Sequence, residues 1–208
     1  MALAERFTNV VPAVGIHPWE AGDATEEDVE AVARLAARAA DRVRILGEVG
    51  IDKKFKPQTF DRQLPVFKRM LELAREYGMG VNLHAAGAWR EALELVLKYE
   101  VSPVVFHWYT GPQDLIDEIA AQGYYISVNA AVKIQPKHQE IVKIAPLEIL
   151  LTETDAPYEY HGLKLMPSMV SDAIAMIAEL KGLSTAEVMR AVWGNFERLA
   201  RKVGVKPG

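Results

Sequence analysis

Four short apolar segments of this chain end in a residue of a type that commonly binds metal ions. Their last residues are Glu48, His84, His107 and Asp155, and amphipathic helical patterns separate the segments. Apolar runs that alternate with helical patterns predict βα units around a parallel sheet. A doubly wound open sheet has the same alternation, but it spreads the strand ends apart, whereas a (β/α) barrel gathers them at one face. The sequence therefore predicts an α/β fold with a TIM-type barrel, in which the four residues converge.

The predicted elements are six strands, each followed by a helical segment. The capping-box pattern Thr25–Asp28 opens a helix that runs to about residue 40. Regular apolar spacing predicts a helix over 60–77, which Gly78 ends. Further helices are predicted over 88–99, 113–121, 136–144, 168–181 and 184–203, and strands over 10–17, 44–50, 80–84, 104–107, 124–129 and 149–155.

Composition narrows the class of protein. A chain of 208 residues fits one domain, so we predict a single hydrolase barrel over residues 1–208. The chain has no cysteine, which excludes disulfides and thiolate metal sites. The net charge of −4 argues against a protein that coats nucleic acid through bulk electrostatics. Neither a membrane-length apolar run nor a signal peptide is visible, so we predict a cytoplasmic protein with no membrane partner.

Two imidazoles and two carboxylates form a donor set of nitrogen and oxygen without sulfur. Such a set suits a divalent ion of hard to borderline character. A metal with an open position lowers the pKa of a bound water to about 7, and a nearby carboxylate can take the proton that the water releases. The residue types therefore indicate metal-assisted hydrolysis.

Several motifs, in this order and spacing, resemble the TatD-like metal-dependent hydrolases of the amidohydrolase group. They are Gly15-Ile-His17-Pro-Trp, Gly47-Glu48-Val-Gly-Ile-Asp52, Asn82-Leu-His84, Phe106-His107 with Thr110-Gly111, Glu153-Thr-Asp155-Ala-Pro-Tyr158 and Gly194-Asn195-Phe-Glu-Arg-Leu199. The resemblance covers nearly the whole chain. It implies a TIM-type barrel, a two-metal centre with Zn, Mg or Mn, and hydrolysis of phosphodiesters, with DNA as the nucleic-acid substrate.

The resemblance also implies roles for the four strand-end residues. Glu48 would bridge two metals and take part in catalysis, while His84 and His107 would bind one of the ions. Asp155 would bind the other ion and act as general base for the attacking water. Read alone, Glu48 fits an ion pair, the histidines fit hydrogen-bonded core positions, and Asp155 fits a turn cap before Pro157.

Four residues near the predicted strand ends are candidates for substrate binding. His17 would contact a substrate phosphate, although a histidine before proline also suits a simple turn. Lys53 would pair with a phosphate, but a solvated lysine loop accounts for it equally simply. Trp108 and Tyr158 would stack on bases or line the pocket wall. Three further positions are expected to have no such role: Asp52, which we expect to close its loop, and His138 and His161, which we expect at the surface.

The chain departs from the family pattern at its start. Members of the family begin with a strand that carries an Asp-x-His-x-His motif, and the six strands predicted here match the third to eighth of an eight-stranded barrel. Two missing strands would expose sheet edges and buried side chains worth roughly 1.5 to 3 kcal/mol each. We expect either a longer natural reading frame, a homo-oligomer or other partner that covers the edge, or an irregular barrel. With two histidines absent, we expect one metal to bind tightly and a second weakly.

Two other functions stay open from the sequence. One is a different amidohydrolase-type reaction, on a lactone, an amide or a phosphotriester. The residues Ala85-Ala-Gly87 after His84 and Trp108-Tyr109 after His107 alter the predicted pocket walls and leave the substrate less defined than the metal chemistry. The other is a catalytically impaired, truncated metal-binding subunit.

Overall fold

The computed structural model describes residues 2–7 and 9–206, which form two compact units. The first unit contains residues 1–106 and 199–208, and the second contains residues 107–198. Among the residues described, no helix is both long and apolar enough to cross a membrane.

The first unit is built on four parallel strands that pair in chain order. They are β1 (Ala13–Val14), β2 (Ile45–Gly50), β3 (Gly80–His84) and β4 (Val104–Phe106). Leu46, Val81 and Leu83 are buried, as expected of parallel strands that are covered on both faces. Each such side chain contributes roughly 1.5 to 3 kcal/mol to the free energy of unfolding.

In the helices of the first unit, the sequence provides a cap at the start of the second helix and at the end of the third. The helices are α1 (Ala2–Arg6), α2 (Glu26–Arg38), α3 (Phe60–Tyr77) and α4 (Trp89–Lys98), with a 3₁₀ turn over Pro57–Thr59. The Thr25 hydroxyl accepts from the Asp28 amide, and the Asp28 carboxylate accepts from the Thr25 amide. Gly78 ends α3 in the left-handed conformation, at a φ of 60°. The predicted capping box and the predicted helix over 60–77 are confirmed.

The second unit contains the parallel pair β5 (Tyr125–Val128) and β6 (Leu150–Thr152). Its helices are α5 (Ile116–Ala121), α6 (Pro136–Ile144) and α7 (Val170–Lys181), and α8 (Thr185–Lys202) follows. Four 3₁₀ turns cover Gln113–Leu115, Ala130–Lys133, Leu147–Ile149 and Pro167–Met169. An antiparallel hairpin of β7 (Glu159–Tyr160) and β8 (Leu163–Lys164), which the sequence analysis did not predict, follows the segment with Asp155.

The structure corrects three sequence-based expectations. The first strand is two residues long, so His17 lies in the turn after β1 and not at a strand end. The segment over 113–121 starts as a 3₁₀ turn before α5 begins. The expectation that His138 lies at the surface is wrong, because its side chain is fully buried. Residues three and four apart share one face of a helix, and His138 shares the buried face of α6 with Ile141 and Val142.

Candidate metal centre

Glu48 lies at an irregularity of β2. Leu46 pairs with Val81 and Val49 pairs with Leu83, so Gly47 and Glu48 together oppose the single residue Asn82. A bulge of this kind changes the direction of a side chain relative to regular pairing, and bulges are common beside active sites. The sequence placed Glu48 at a strand end, but it did not predict the bulge.

His84 is the last residue of β3, and the backbone of the neighbouring strand passes very close to it. A Cβ atom added to Gly50 would lie 1.9 Å from the His84 carbonyl oxygen, and Gly50 has a φ of 149°. The Ile51 amide donates to the same carbonyl at 3.0 Å. Only glycine fits this approach without a shift of one strand, so Gly50 helps to fix the position of His84.

His84, Glu48 and His17 form what we call the first ligand cluster. The Nε2 atom of His17 lies 3.5 Å from Oε2 of Glu48 and 3.3 Å from Nδ1 of His84. His84 Nδ1 lies 3.8 Å from the same Glu48 oxygen. The candidate ligand atoms of the three residues all lie within 4.8 Å of one another, a spacing that one metal ion can span.

Asp52 contacts the ring nitrogen of His84 that is not the one near Glu48. Its carboxylate accepts hydrogen bonds from His84 Nε2 at 2.9 Å, from the Trp19 indole at 2.6 Å and from the amides of Lys54 and Phe55. Burial would raise the pKa of Asp52, but the hydrogen bonds from His84, Phe55 and Trp19 outweigh it and lower the pKa to about 2. The predicted closure of the loop by Asp52 is confirmed, and its contact with His84 is an addition that sequence reasoning missed.

His107, Glu153 and Asp155 form a second cluster, within the second unit. His107 follows β4 directly, and its Nδ1 atom lies 2.5 Å from Oε2 of Glu153. On the other side of the ring, Nε2 lies 3.7 Å from Oδ1 of Asp155. A carboxylate that accepts from one ring nitrogen fixes the tautomer and directs the lone pair of the other nitrogen toward a ligand position. Here that nitrogen faces Asp155.

Glu153 is itself held by two neighbours. The Ser127 hydroxyl donates to Oε2 at 2.6 Å, and the Asn129 amide donates to Oε1 at 3.1 Å. The Ser127 oxygen also accepts from the Trp108 amide at 3.1 Å. No role for Glu153, Ser127 or Asn129 is predicted from the sequence. If the predicted strand continued to residue 155, side-chain alternation would put residues 153 and 155 on the same side, and this was the available signal for Glu153.

The model of the "TatD related DNase" family matches residues 1–201 of this chain. The chain belongs to this family. Among its relatives, the metal-dependent hydrolase YabD of Bacillus subtilis is 30% identical over 209 residues, which cover 97% of this chain and 81% of YabD. The human deoxyribonuclease TATDN3 is 27% identical, with 98% of this chain and 79% of that protein covered. The sequence-based assignment to TatD-like metal-dependent hydrolases is therefore confirmed.

Solved structures of TatD homologues show the same fold. YjjV, a TatD homologue from Escherichia coli, is 25% identical and superposes with a TM-score of 0.86 over 95% of this chain and 79% of its own. A TatD family hydrolase from Entamoeba histolytica, at 19% identity, gives a TM-score of 0.81 over 100% of this chain and 80% of its own. The fold class of this TatD family member is α/β of the TIM-barrel type, as predicted.

The donor chemistry of both clusters suits a metal ion of the kind that the name of the relative YabD, a metal-dependent hydrolase, implies. In each cluster, one ring nitrogen of a histidine contacts a buried or half-buried carboxylate. A second carboxylate lies near the other ring nitrogen. Nitrogen and oxygen donors of this kind bind Zn, Mn or Mg. The structure thus brings Glu48 together with His84, and His107 together with Asp155. That the two pairs serve one centre stays a prediction.

The remaining predicted substrate residues have partners of their own. Lys53 pairs with Glu91, and its Nζ atom lies 4.5 Å from the Phe60 ring centroid. Trp108 donates from its indole to Gln135 at 2.7 Å, and its ring centroid lies 6.0 Å from that of Tyr158. Tyr158 is 41% exposed. Their contact with substrate, like that of His17, stays a prediction.

Proposed function

We propose that this TatD family hydrolase cleaves phosphodiester bonds and that its substrate is DNA. The observation that carries the proposal is the pair of carboxylate-held histidines, His84 on Asp52 and His107 on Glu153. Buried carboxylates that orient imidazoles are typical of metal centres, because they fix the ring and make the ligand nitrogen more basic. The name of the human relative, deoxyribonuclease TATDN3, supports DNA as the substrate.

In this proposal Glu48, His84, His107 and Asp155 hold divalent metal. A bound metal would lower the pKa of a water to about 7 and thereby supply hydroxide at neutral pH. Asp155 would act as general base and accept a proton from the attacking water. The φ of 54° at Asp155 positions its carboxylate at the turn before Pro157, and Oδ1 faces His107 Nε2 at 3.7 Å.

The residues around the ligands contact the substrate in this proposal. His17 donates to a phosphate oxygen, and Lys53 exchanges its partner Glu91 for a phosphate. Trp108 and Tyr158 offer ring faces to a base, a contact worth about 1 to 3 kcal/mol. We further propose that the protein works in the cytoplasm.

The test is cleavage of single-stranded and duplex DNA in the presence of magnesium, manganese or zinc. The variant is Asp155→Asn, because asparagine tolerates the left-handed backbone that Asp155 adopts but cannot take the proton. Asp117→Asn, on the exposed side of α5, is the matched control. We expect metal-dependent cleavage by the wild type and the control, and a loss of about 100-fold or more in Asp155→Asn.

Three results would contradict the proposal in different ways. Full cleavage by Asp155→Asn would remove Asp155 as general base. Activity on lactones, amides or phosphotriesters without DNA cleavage would favour another amidohydrolase-type reaction. No activity on any of these substrates would favour an impaired metal-binding subunit.

A further inference from the structure

Four residues of the first unit form a closed ring of hydrogen bonds that includes the predicted ligand His84. The Trp19 amide donates to His17 Nδ1 at 3.2 Å, and His17 Nε2 lies 3.3 Å from His84 Nδ1. His84 Nε2 lies 2.9 Å from Asp52 Oδ2, and the Trp19 indole donates to that same oxygen at 2.6 Å. The ring joins the turn after β1 to the end of β3 and to the loop after β2.

The partners in this ring determine where the two imidazole protons lie. A backbone amide can only donate, so His17 Nδ1 is the acceptor and the proton of a neutral His17 lies on Nε2. A carboxylate can only accept, so His84 Nε2 carries the proton and His84 Nδ1 carries the lone pair. The 3.3 Å contact is therefore a hydrogen bond from His17 to His84.

The lone pair that His17 uses is also the lone pair that a metal needs. His84 Nε2 is committed to Asp52, so Nδ1 is the nitrogen through which His84 binds metal. The second acceptor near His17 Nε2 is Glu48 Oε2 at 3.5 Å, and Glu48 is a predicted ligand as well. Metal binding by His84 and Glu48 thus competes with the hydrogen bonds of His17.

Distances alone would allow His17 to be a third ligand, because its Nε2 lies within ligand spacing of the other two residues. The hydrogen bonds argue against it. If Nε2 of His17 bound a metal, the ring proton would move to Nδ1, where it would face the Trp19 amide, and two donors would oppose each other. His84 has no such conflict, since its protonated nitrogen already faces Asp52.

We infer that His17 is not a metal ligand but a hydrogen-bond donor that occupies His84 Nδ1 until metal binds there. Once His84 and Glu48 bind metal, the Nε2 proton of His17 faces the cluster without its former acceptors. An anionic oxygen of the substrate then accepts it. This second step rests on the proposed phosphodiester hydrolysis, whereas the first step does not.

The variant that tests the first step is His17→Asn in the full chain. The asparagine side-chain oxygen can accept the Trp19 amide as in an Asx turn, so the turn is kept, but the side chain has no group that reaches His84. His84→Asn is the matched variant that removes a ligand. In calorimetric titrations with zinc, we expect His17→Asn to bind as tightly as the wild type or more tightly, and His84→Asn to lose about tenfold or more. Weaker zinc binding by His17→Asn than by the wild type would overturn the inference.

Nitrogen-15 NMR of the imidazoles gives a second readout. We expect both His17 and His84 to carry the proton on Nε2 in the metal-free protein. Added zinc should shift the Nδ1 resonance of His84 and leave the His17 proton on Nε2. Movement of the His17 proton to Nδ1 with zinc would identify His17 as a ligand and refute the inference.

DNA cleavage tests the second step separately. We expect His17→Asn to cleave more slowly than the wild type at saturating zinc, although it binds zinc equally well. Equal cleavage by the two proteins would refute the contact with substrate. If the wild type cleaves no DNA, the proposed function fails, while the zinc and NMR results still decide the first step.

Discussion

His107 donates from Nδ1 to Oε2 of Glu153 across 2.5 Å, and this contact decides which nitrogen of His107 faces Asp155. His84 and Asp52 have the same relationship in the first unit, with the two ring nitrogens exchanged. In both cases a carboxylate that does not belong to the predicted ligand set orients a residue that does.

Replacing Glu153 by glutamine should weaken metal binding. Three groups now donate hydrogen bonds to the Glu153 carboxylate. The NH2 group of a glutamine would face at least one of these donors, so His107 would lose its fixed orientation. Loss of such an orienting partner typically costs about 10- to 100-fold in metal affinity. Zinc titration measures the effect, with Glu159→Gln on the exposed part of β7 as the control. Equal affinity of Glu153→Gln and the control would contradict this assignment.

Replacing Asp52 by asparagine should lower stability in a pH-dependent way. The pKa of Asp52 falls from 3.8 to about 2 on folding, so the folded state holds fewer protons at this group than the unfolded state. The stabilisation is complete above about pH 4, amounts to about 2 kcal/mol, and is lost as the pH falls toward 2.

Urea denaturation at pH 7, 4 and 2.5 tests this dependence. We expect the difference between the wild type and Asp52→Asn to shrink along the series, while the exposed Asp41→Asn control shows no such trend. A difference that is the same at all three pH values would show that Asp52 stabilises through packing alone.

His138 should make the protein sensitive to mild acid. Its ring is fully buried, and neither ring nitrogen has a hydrogen-bond partner in the part of the chain that the structure describes. Burial lowers the pKa of His138 from 6.5 to about 4. The charge of Glu153, together with an interaction with the Ser127 backbone that falls short of hydrogen-bond geometry, opposes the shift. Between these pH values the unfolded state binds the extra proton, so stability is full above about pH 6.5 and falls by about 3 kcal/mol toward pH 4.

The variant His138→Leu should abolish that loss. Leucine has a similar volume and no polar atoms to leave unpaired, so we expect it to be at least as stable as the wild type at pH 7. Denaturation at pH 7, 5.5 and 4 gives the comparison, with the exposed His161→Gln as the control. Equal acid sensitivity of His138→Leu and the wild type would rule out His138 as the cause.

Gly50→Ala should disturb the first ligand cluster. The new Cβ would lie 1.9 Å from the His84 carbonyl oxygen, and a backbone atom cannot swing away as a flexible side chain can. We expect a loss above about 3 kcal/mol and weaker zinc binding. Gly78→Ala is the control, because it also has a positive φ but no atom within 4 Å of the new Cβ, and it should cost about 1 to 2 kcal/mol. Equal losses in the two variants would show that the backbone conformation and not the close approach matters.

Features that depend on neighbouring residues in the sequence were predicted correctly. The helix over 60–77 matched to the residue because apolar spacing and Gly78 mark both ends. His84 was placed at a strand end, where the structure has it. The pairing of His107 with Glu153 was not predicted, because the two residues lie far apart along the chain and meet only after the second unit folds.

His138 shows how a local pattern can mislead. Polar neighbours on both sides indicated the surface, although Ile141 and Val142 on the same helix face indicated the interior. For β1 the apolar pattern predicted too long a strand. The apolar run before His17 is longer than the two residues that pair with β2.

The surplus residue in β2 carries a consequence for variation in this chain. Side chains on a strand alternate between its two sides, so an insertion or deletion of one residue reverses every position beyond it until the pairing recovers. In β2 the regular pairing resumes after one residue of β3, because Gly47 and Glu48 together oppose Asn82. A descendant that lost Gly47 would keep Leu46 opposite Val81 and Val49 opposite Leu83, so the change would be confined to the way residue 48 approaches His84.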